Sequence, residues 1–293
     1  MPILYVVATP IGNLGDMSPR AVQTLRDCAL IAAEDTRVTR KLLSHFDIHT
    51  PMVSNHQHNE APRAASLIAR MLAEQTDVAL VTDAGTPCIS DPGDALVRAA
   101  VEAGVRVVAV PGPSAMAAAL SVSGIPAREF AFYGFLPRAA RALREKLEAM
   151  ARSGVPVAVV HESPHRVEAL LAAVAAALPG CRVCACCDLT KLYERAEYGA
   201  VPDVLAALRA NPKAEKGEYC LVLDMTDVSL PPLAPPTEMP LEAALCMRLL
   251  AGEDLRQAQE ALQGEGARRN DVYRAAMRVK ALLQHGEGAP SDT

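Results

Sequence analysis

Short apolar runs, each closed by a Gly- or Pro-rich loop and followed by a helical segment, recur through the first part of the chain. That rhythm constrains the fold more than any other feature. Ile3 to Ala8 is such a run, ended by Thr9-Pro10. Leu30 to Ala33 and Val78 to Thr82 are two more, and Val105 to Val110 precedes Pro111-Gly112-Pro113-Ser114. Met52 to Ser54 reads as a shorter strand. Between them lie helical spacings at Thr36 to Phe46 and Glu60 to Glu74. Ser18-Pro19 and Asp91-Pro92 both read as an N-cap followed by proline at the first helical position. Strand, helix, strand in this order predicts an α/β fold with a parallel sheet covered on both faces.

The second part changes character. Phe130 to Phe135, Val155 to Val160, Arg182 to Asp188, Ala196 to Gly199 and Tyr219 to Asp224 read as strands, more closely spaced, which predicts a partly antiparallel sheet. Arg138 to Arg152 reads as a basic amphipathic helix, and Ser163-Pro164 as the cap of another. Residues 229–240, SLPPLAPPTEMP, hold too many prolines for a helix or a central strand. Beyond them, Leu241 to Gln284 reads as three short helices with a loose tail. The expected domains are therefore an N-terminal α/β lobe at 1–124, a second lobe at 125–228, a linker at 229–240 and a small helical domain with its tail at 241–293.

Composition narrows the function. Of 293 residues 51% are apolar but only 3% aromatic, so the core must be built from Ala, Val and Leu. A net charge of −5 argues against a bulk nucleic-acid binder, because phosphate contacts need clustered Lys and Arg. No apolar run approaches the roughly 20 residues that span a bilayer. Met1 to Val7 lacks a basic leader and reads as a strand, so the expected location is cytoplasmic. Cys181, Cys184, Cys186 and Cys187 overlap two C-x-x-C spacings, and His56 and His58 alternate. The cysteines have no second ligand pair at a plausible spacing, loop histidines more commonly hydrogen-bond the backbone, and the expectation is no metal.

The loops carry the functional signal. TPIGNLGD at 9–16, DAGTP at 83–87 and PGPSA at 111–115 all follow the carboxyl end of a predicted strand, where ligands bind in open α/β sheets. Their small residues let a ligand approach the backbone, and their prolines fix its course. None matches G-x-x-x-x-G-K-[ST] or G-x-G-x-x-G, so neither a nucleoside triphosphate nor a dinucleotide is favoured. The residues alone give a small-molecule cleft without naming its ligand.

Taken together and in order, TPIGNLGD, AEDTR at 33–37, TDAGTPCISDPG at 82–93 and PGPSA resemble the tetrapyrrole-methylase superfamily. Within it they are most similar to the branch of 16S rRNA (cytidine-2′-O)-methyltransferases. HQHNE at 56–60, GFLP at 134–137, ESPHR at 162–166, LTK at 189–191 and KGE at 216–218 extend the likeness over residues 2 to 225, and RRNDVY at 268–273 resembles that branch's helical domain. The Gly-x-Gly-Pro-Gly-Asp first loop of porphyrin-type members is missing. His161 stands where that branch usually has an aromatic, and Cys187-Asp188 where it has Arg-Glu.

The resemblance implies two α/β lobes with S-adenosyl-L-methionine between them. It assigns cofactor contacts to Pro10, Asp83, Gly85, Thr86, Ile89, Ser114, Ala115, Leu136, Gly217 and Glu218, and it implies a homodimer. Asp83 reads equally as an Asx-type turn residue. The implied substrate is 16S rRNA or the assembled small ribosomal subunit. The implied reaction is in-line transfer of a methyl group to a ribose 2′-oxygen, with positioning and a general base supplying the rate.

Among Glu34, Asp35, Glu60, Glu162, His165 and Lys191, the expected base or ribose-orienting group lies in Glu34, Asp35 and Lys191. Asp35 with Arg37 reads equally as a structural ion pair. Expected RNA contacts are Arg37, Arg40 and Lys41 on one helix, Arg138, Arg141 and Arg144 on another, and Arg268 and Arg269 near the C-terminus. Each cluster reads equally as a solvated face. A tetrapyrrole C-methyltransferase and a non-catalytic ligand- or RNA-binding module are the alternatives.

Overall fold

The computed structural model describes residues 1–55, 60–230 and 239–286, with the side chains of 60–62 and 282–286 excepted. His56, His58, the Glu60 side chain and most of the proline-rich stretch lie outside the described residues. Residues Met1–Leu230 form one compact unit and Pro231–Thr293 a second.

The first sheet holds β1 (Ile3–Val7), β2 (Leu30–Ala33), β3 (Met52–Ser54), β4 (Val78–Val81) and β5 (Arg106–Val110) in the order β3-β2-β4-β1-β5. Every pairing in it is parallel. All residues of β2 and β4 are buried, which is why LIAA and VALV read as continuous rather than alternating apolar runs. Helices α1 (Pro19–Asp27) and α2 (Thr36–His45) cover one face through Ala21, Leu25 and Leu43. Helices α3 (Glu60–Glu74) and α4 (Asp94–Glu102) cover the other through Leu67, Ile68, Met71, Leu96 and Ala100. The chain leaving β4 therefore runs to one face, while the chains leaving its neighbours β2 and β1 run to the opposite face. A crevice opens beyond the strand ends at such a point.

The second sheet holds β6 (Phe130–Phe135), β7 (Val157–Glu162), β8 (Arg182–Cys187), β9 (Arg195–Ala200) and β10 (Tyr219–Asp224) in the order β6-β7-β10-β8-β9. β6 and β7 are parallel; the other pairs are antiparallel, the mixture that the sequence predicts. Helices α6 (Ala140–Arg152), α7 (Val167–Ala177) and α8 (Val201–Ala210) pack on one face. The other face is covered by the Ala-rich α5 (Ala115–Val122), which begins directly after the β5 loop. Helix α5 thus ties the two sheets together. Cys184, Cys186 and Cys220 lie in its contact with Val157, Val159 and Val222, where a thiol packs as a small hydrophobe.

Local chemistry accounts for most boundaries. Ser18 Oγ accepts from Ala21 N at 3.1 Å with Pro19 behind it, the predicted cap of α1. Asp35 caps α2, accepting from Arg37 N at 2.8 Å. Two predicted caps differ. Helix α4 starts at Asp94 with Gly93 as N-cap, so Asp91-Pro92 is loop and not helix start. Helix α7 starts at Val167, and Ser163 to Arg166 form a turn whose Ser163 carbonyl accepts from Arg166 N and Val167 N. Both corrections have one cause: proline fixes its own φ in a turn as readily as in a first helical turn. The sequence reading has no counterpart for α8, whose Val201, Val204, Leu205 and Leu208 stripe is nonetheless buried.

In the second unit, α9 (Leu241–Leu250), α10 (Leu255–Gly264) and α11 (Arg269–Gly286) surround Leu245, Leu262, Val272 and Val279. Asp254 and Gln257 form a reciprocal capping box at α10.

Leu221 is fully buried in β10, within the core between the second sheet and α6 to α8. Leu221→Ala is expected to lower stability by about 2–5 kcal/mol, read from the urea unfolding midpoint.

Candidate functional site

The site begins where β1 and β4, adjacent strands, end. Thr9 N donates to Gly85 O at 2.8 Å and Gly85 N to Thr9 O at 3.0 Å, an isolated bridge beyond the sheet. The buried Thr9 hydroxyl donates to Thr82 O at 3.1 Å. Gly85 has φ +83°, a conformation that L side chains rarely adopt, so the bridge needs glycine there.

The loop beyond it is bent hard. Cys88 and Ser90, neither of them glycine, have φ of +69° and +68°. A non-glycine residue held in this region costs on the order of 1–3 kcal/mol and persists only where its surroundings fix it. One such contact is on the second sheet. Gly134 lies at a bulge in β6 with φ +59°, and a Cβ there would stand 2.8 Å from Ser90 Oγ.

Between the loop and the second sheet lies a cavity of about 550 Å³. Gly85, Thr86, Ile89, Ser90 and Asp91 line it from the β4 loop, and Ser114, Ala115 and Met116 from the start of α5. Phe132 and Phe135 of β6, His161 to Pro164 at the end of β7 and just beyond it, Leu189, and Gly217 to Cys220 line it from the second sheet. The wall thus mixes small residues and Asp91 on the β4-loop side with aromatics, Glu162 and Glu218 on the second-sheet side. Of the predicted contacts, Gly85, Thr86, Ile89, Ser114, Ala115, Gly217 and Glu218 face this cavity. Pro10 and Asp83 border a separate depression of about 250 Å³ with Gly12, Val38 and Lys41, and Leu136 is buried behind Phe135.

Lys191 fastens the two sides. Its Nζ donates to Asp188 Oδ1 at 2.8 Å and to Glu218 Oε2 at 3.0 Å. Its stem lies on Gly12 of the β1 loop, where a Cβ would meet Lys191 Cγ at 2.5 Å. Burial pulls its pKa down, but the two carboxylate bonds outweigh that and hold it above the ordinary lysine value. Lys191 is a fixed cation. Gly217 is equally constrained: its φ is +96°, and a Cβ would run into the Asp188 carboxylate.

The carboxylates differ in their freedom. Asp35 caps α2 and binds the Arg37 guanidinium at 2.6 Å, and those hydrogen bonds hold its pKa down at about 2. Glu34 Oε2 accepts from Thr82 Oγ1 at 2.5 Å and from Asp83 N at 3.2 Å. Asp83 Oδ1 accepts from Asp35 N at 3.1 Å, while burial first, and the Glu34 charge second, raise its pKa. Glu162 is buried, with Ser163 N at 2.7 Å and Arg166 Nη2 at 3.2 Å. Asp91 is pushed up to about 6, by burial and then by the charges of Glu34 and Asp83. Burial also holds the His161 imidazole below its ordinary value against the Glu218 charge. Its Nε2 is sealed from solvent with no hydrogen-bond partner among the described residues, and its ring meets Phe132 and Phe135 edge-on.

Asp91 is the residue that sequence reasoning missed, because Asp-Pro imitates a helix start. Phe132 and Met116 also escaped it, since their positions carry no motif, and Phe135 did so although it lies within GFLP.

The predicted basic residues occupy separate surfaces. Arg40 and Lys41 are exposed on α2, beside the Asp35-bound Arg37. On α6, Arg141 and Arg144 pair with Glu145 and Glu148 at 2.8 Å, and Arg138 is exposed ahead of the helix. Exposed pairs at this spacing contribute only about 0.3–0.5 kcal/mol, so either guanidinium can turn to another anion. Arg268 and Arg269 are exposed at the start of α11, in the second unit.

The sequence matches the family described as Tetrapyrrole (Corrin/Porphyrin) Methylases over residues 3–204. It is 44% identical over 221 residues to Ribosomal RNA small subunit methyltransferase I of Xylella fastidiosa (strain Temecula1), covering 75% of this chain and 80% of that protein. It is 39% identical over 277 residues to the protein of the same name from Escherichia coli O157:H7, covering 94% of each. Among solved structures, it shares the fold of uroporphyrin-III C-methyl transferase from Thermus thermophilus complexed with S-adenyl homocysteine, with TM-score 0.51 and 20% identity over 76% of this chain and 97% of that one.

Asp91→Asn removes a carboxylate whose ionised form the fold disfavours. Its melting temperature is expected to exceed that of the wild type at neutral pH. The gain builds as pH rises from the ordinary 3.8 to about 6, where the unfolded chain has lost a proton that the folded chain keeps, and is absent below. A pH series of thermal melts checks this; a gain independent of pH contradicts it.

Proposed function

We propose, from the premise that this chain belongs to the tetrapyrrole (corrin/porphyrin) methylases, that it is an S-adenosylmethionine-dependent methyltransferase of small-subunit ribosomal RNA whose acceptor is the 2′-oxygen of a cytidine ribose. The observation that carries the reading is the 39% identity to a ribosomal RNA small subunit methyltransferase over 94% of both chains, a span that reaches into the helical unit. The tetrapyrrole alternative rests on likeness of fold at 20% identity.

The cavity suits the cofactor. Its 550 Å³ falls within the range of about 300–1,000 Å³ that holds molecules of this size. Its lining carries no Lys or Arg, whereas Glu162 and Glu218 give it the acidic surroundings that an ammonium favours. Gly85, Ala84, Ala115 and Gly217 leave backbone groups open to a ligand. In this reading Gly85, Thr86, Ile89, Ser114, Ala115, Gly217 and Glu218 contact the cofactor, while Pro10, Asp83 and Leu136 shape the walls behind them. When bound, the cofactor supplies an electrophilic methyl group.

The chain's own residues hold the acceptor. Lys191 and Asp35 act as fixed charges, one bound to Asp188 and Glu218 and the other to Arg37, and Glu34 orders the end of β4 through Thr82. The RNA backbone is gripped by Arg37, Arg40 and Lys41, by Arg138, Arg141 and Arg144, and by Arg268 and Arg269 of the helical unit. The reading extends to a cytoplasmic homodimer: the RNA partner supports the compartment, and the family resemblance the second copy. No helix among the described residues is long and apolar enough to cross a membrane.

Labelled S-adenosylmethionine offered with small ribosomal subunits lacking the modification is expected to label the RNA, at a 2′-O-methylcytidine. Label in uroporphyrinogen instead, or cofactor binding without transfer, contradicts the reading. Reversing Arg138, Arg141 and Arg144 to Glu is expected to raise KM for the subunit by about tenfold or more and to flatten its salt dependence, with cofactor affinity unchanged.

A further inference from the structure

We propose that Asp91 is the proton acceptor of the transfer, its carboxylate standing in the cleft where the acceptor hydroxyl enters. This rests on the methyltransferase reading above. Six other ionisable groups at the site are held by partners or sealed. Asp35 is held by Arg37 and by the start of α2, and Glu34 by Thr82 and Asp83. Glu162 is buried against Ser163 and Arg166. Lys191 is fixed between Asp188 and Glu218, which Glu218 returns. His161 lines the cavity with its ring, but its Nε2 is sealed within the protein.

Asp91 differs in position and in basicity. It lines the cavity beside Ser90, whose left-handed backbone turns the loop across the cleft toward Gly134 of the second sheet. The charged groups acting on it are Glu34 at the end of β2 and Asp83 at the end of β4, the latter itself influenced by Asp35 and Arg37. These raise its pKa to about 6, near the working pH, where a carboxylate is both ionised and a useful base. Asp35, at about 2, is too weak a base for the same task.

The step balances. An oxygen lone pair of the hydroxyl bonds to the methyl carbon as the carbon–sulfur pair returns to sulfur. The hydroxyl proton passes to Asp91. The products are the methyl ether, the neutral thioether and a protonated Asp91, which releases its proton to water before the next turnover.

The test compares wild type, Asp91→Asn and Asp91→Glu in single-turnover transfer to small subunits lacking the modification, across pH, with affinity for S-adenosylhomocysteine measured by calorimetry. The wild-type rate is expected to rise with pH through about 6 and then level. Asp91→Asn is expected to bind S-adenosylhomocysteine as wild type does, to lose about 100-fold or more in rate, and to lose the inflection. Asp91→Glu, which keeps a carboxylate, is expected to recover part of the rate and the inflection. Asp91→Asn reacting as fast as wild type, or keeping the inflection, overturns the assignment while leaving the methyltransferase reading intact. A wild type that binds S-adenosylhomocysteine but transfers nothing to the subunit overturns both.

Discussion

Two backbone hydrogen bonds between Thr9 and Gly85 hold the site in place. They join the loops leaving β1 and β4, adjacent strands whose outgoing chains part to opposite faces of the sheet. Without that bridge the β4 loop would be a free excursion over the strand ends. With it, the chain from Thr86 onward is thrust toward the second sheet, where Ser90 meets Gly134. The floor of the cleft and its far wall are thereby set by one residue pair, and glycine at position 85 is required by backbone conformation.

The same loop stores unfavourable energy. Two non-glycine residues sit at positive φ, and Asp91 is half-buried near two other carboxylates. Neither arrangement aids folding. Both are sustained by packing elsewhere, through fully buried β4 and through α5 seated on the second sheet. This is the usual trade between stability and activity, in which a rigid scaffold sustains a strained and electrostatically poor site. Opposite it, Lys191 draws Asp188, Glu218 and the Gly12 loop into one tie, so both walls of the cleft are anchored by groups that the fold has already committed.

The fold was largely legible because its cues are local. Runs such as VALV at β4 and loops closed by Gly and Pro announce a parallel sheet, and Ser18 announces a helix start. Helix α8 was not read, since its apolar stripe follows a strand without a clear break. Seven of the ten expected cofactor contacts face the cavity, and these lie in loops whose small residues are themselves the signal. Asp91 reads as a cap in the sequence because Asp-Pro looks alike in a loop and in a first helical turn; only the position of Gly93 before α4 separates the two. Phe132, Phe135 and Met116 depend on how two sheets meet, which no local pattern encodes. Asp35 forms the ion pair with Arg37 that is one of the two readings open in the sequence. His161 shows as a departure in the sequence, and its buried, unpartnered Nε2 has no account in the surrounding geometry.

The central claim is that the cofactor lies between the two sheets, against the β4 loop. A crystal structure grown with S-adenosylhomocysteine tests it most directly. The account predicts the ligand in the cavity bounded by Gly85, Ser114 and Gly217, with its sulfur on the Asp91 side. Ligand in the smaller depression beside Pro10 and Lys41, or along the basic face of α6, would contradict it.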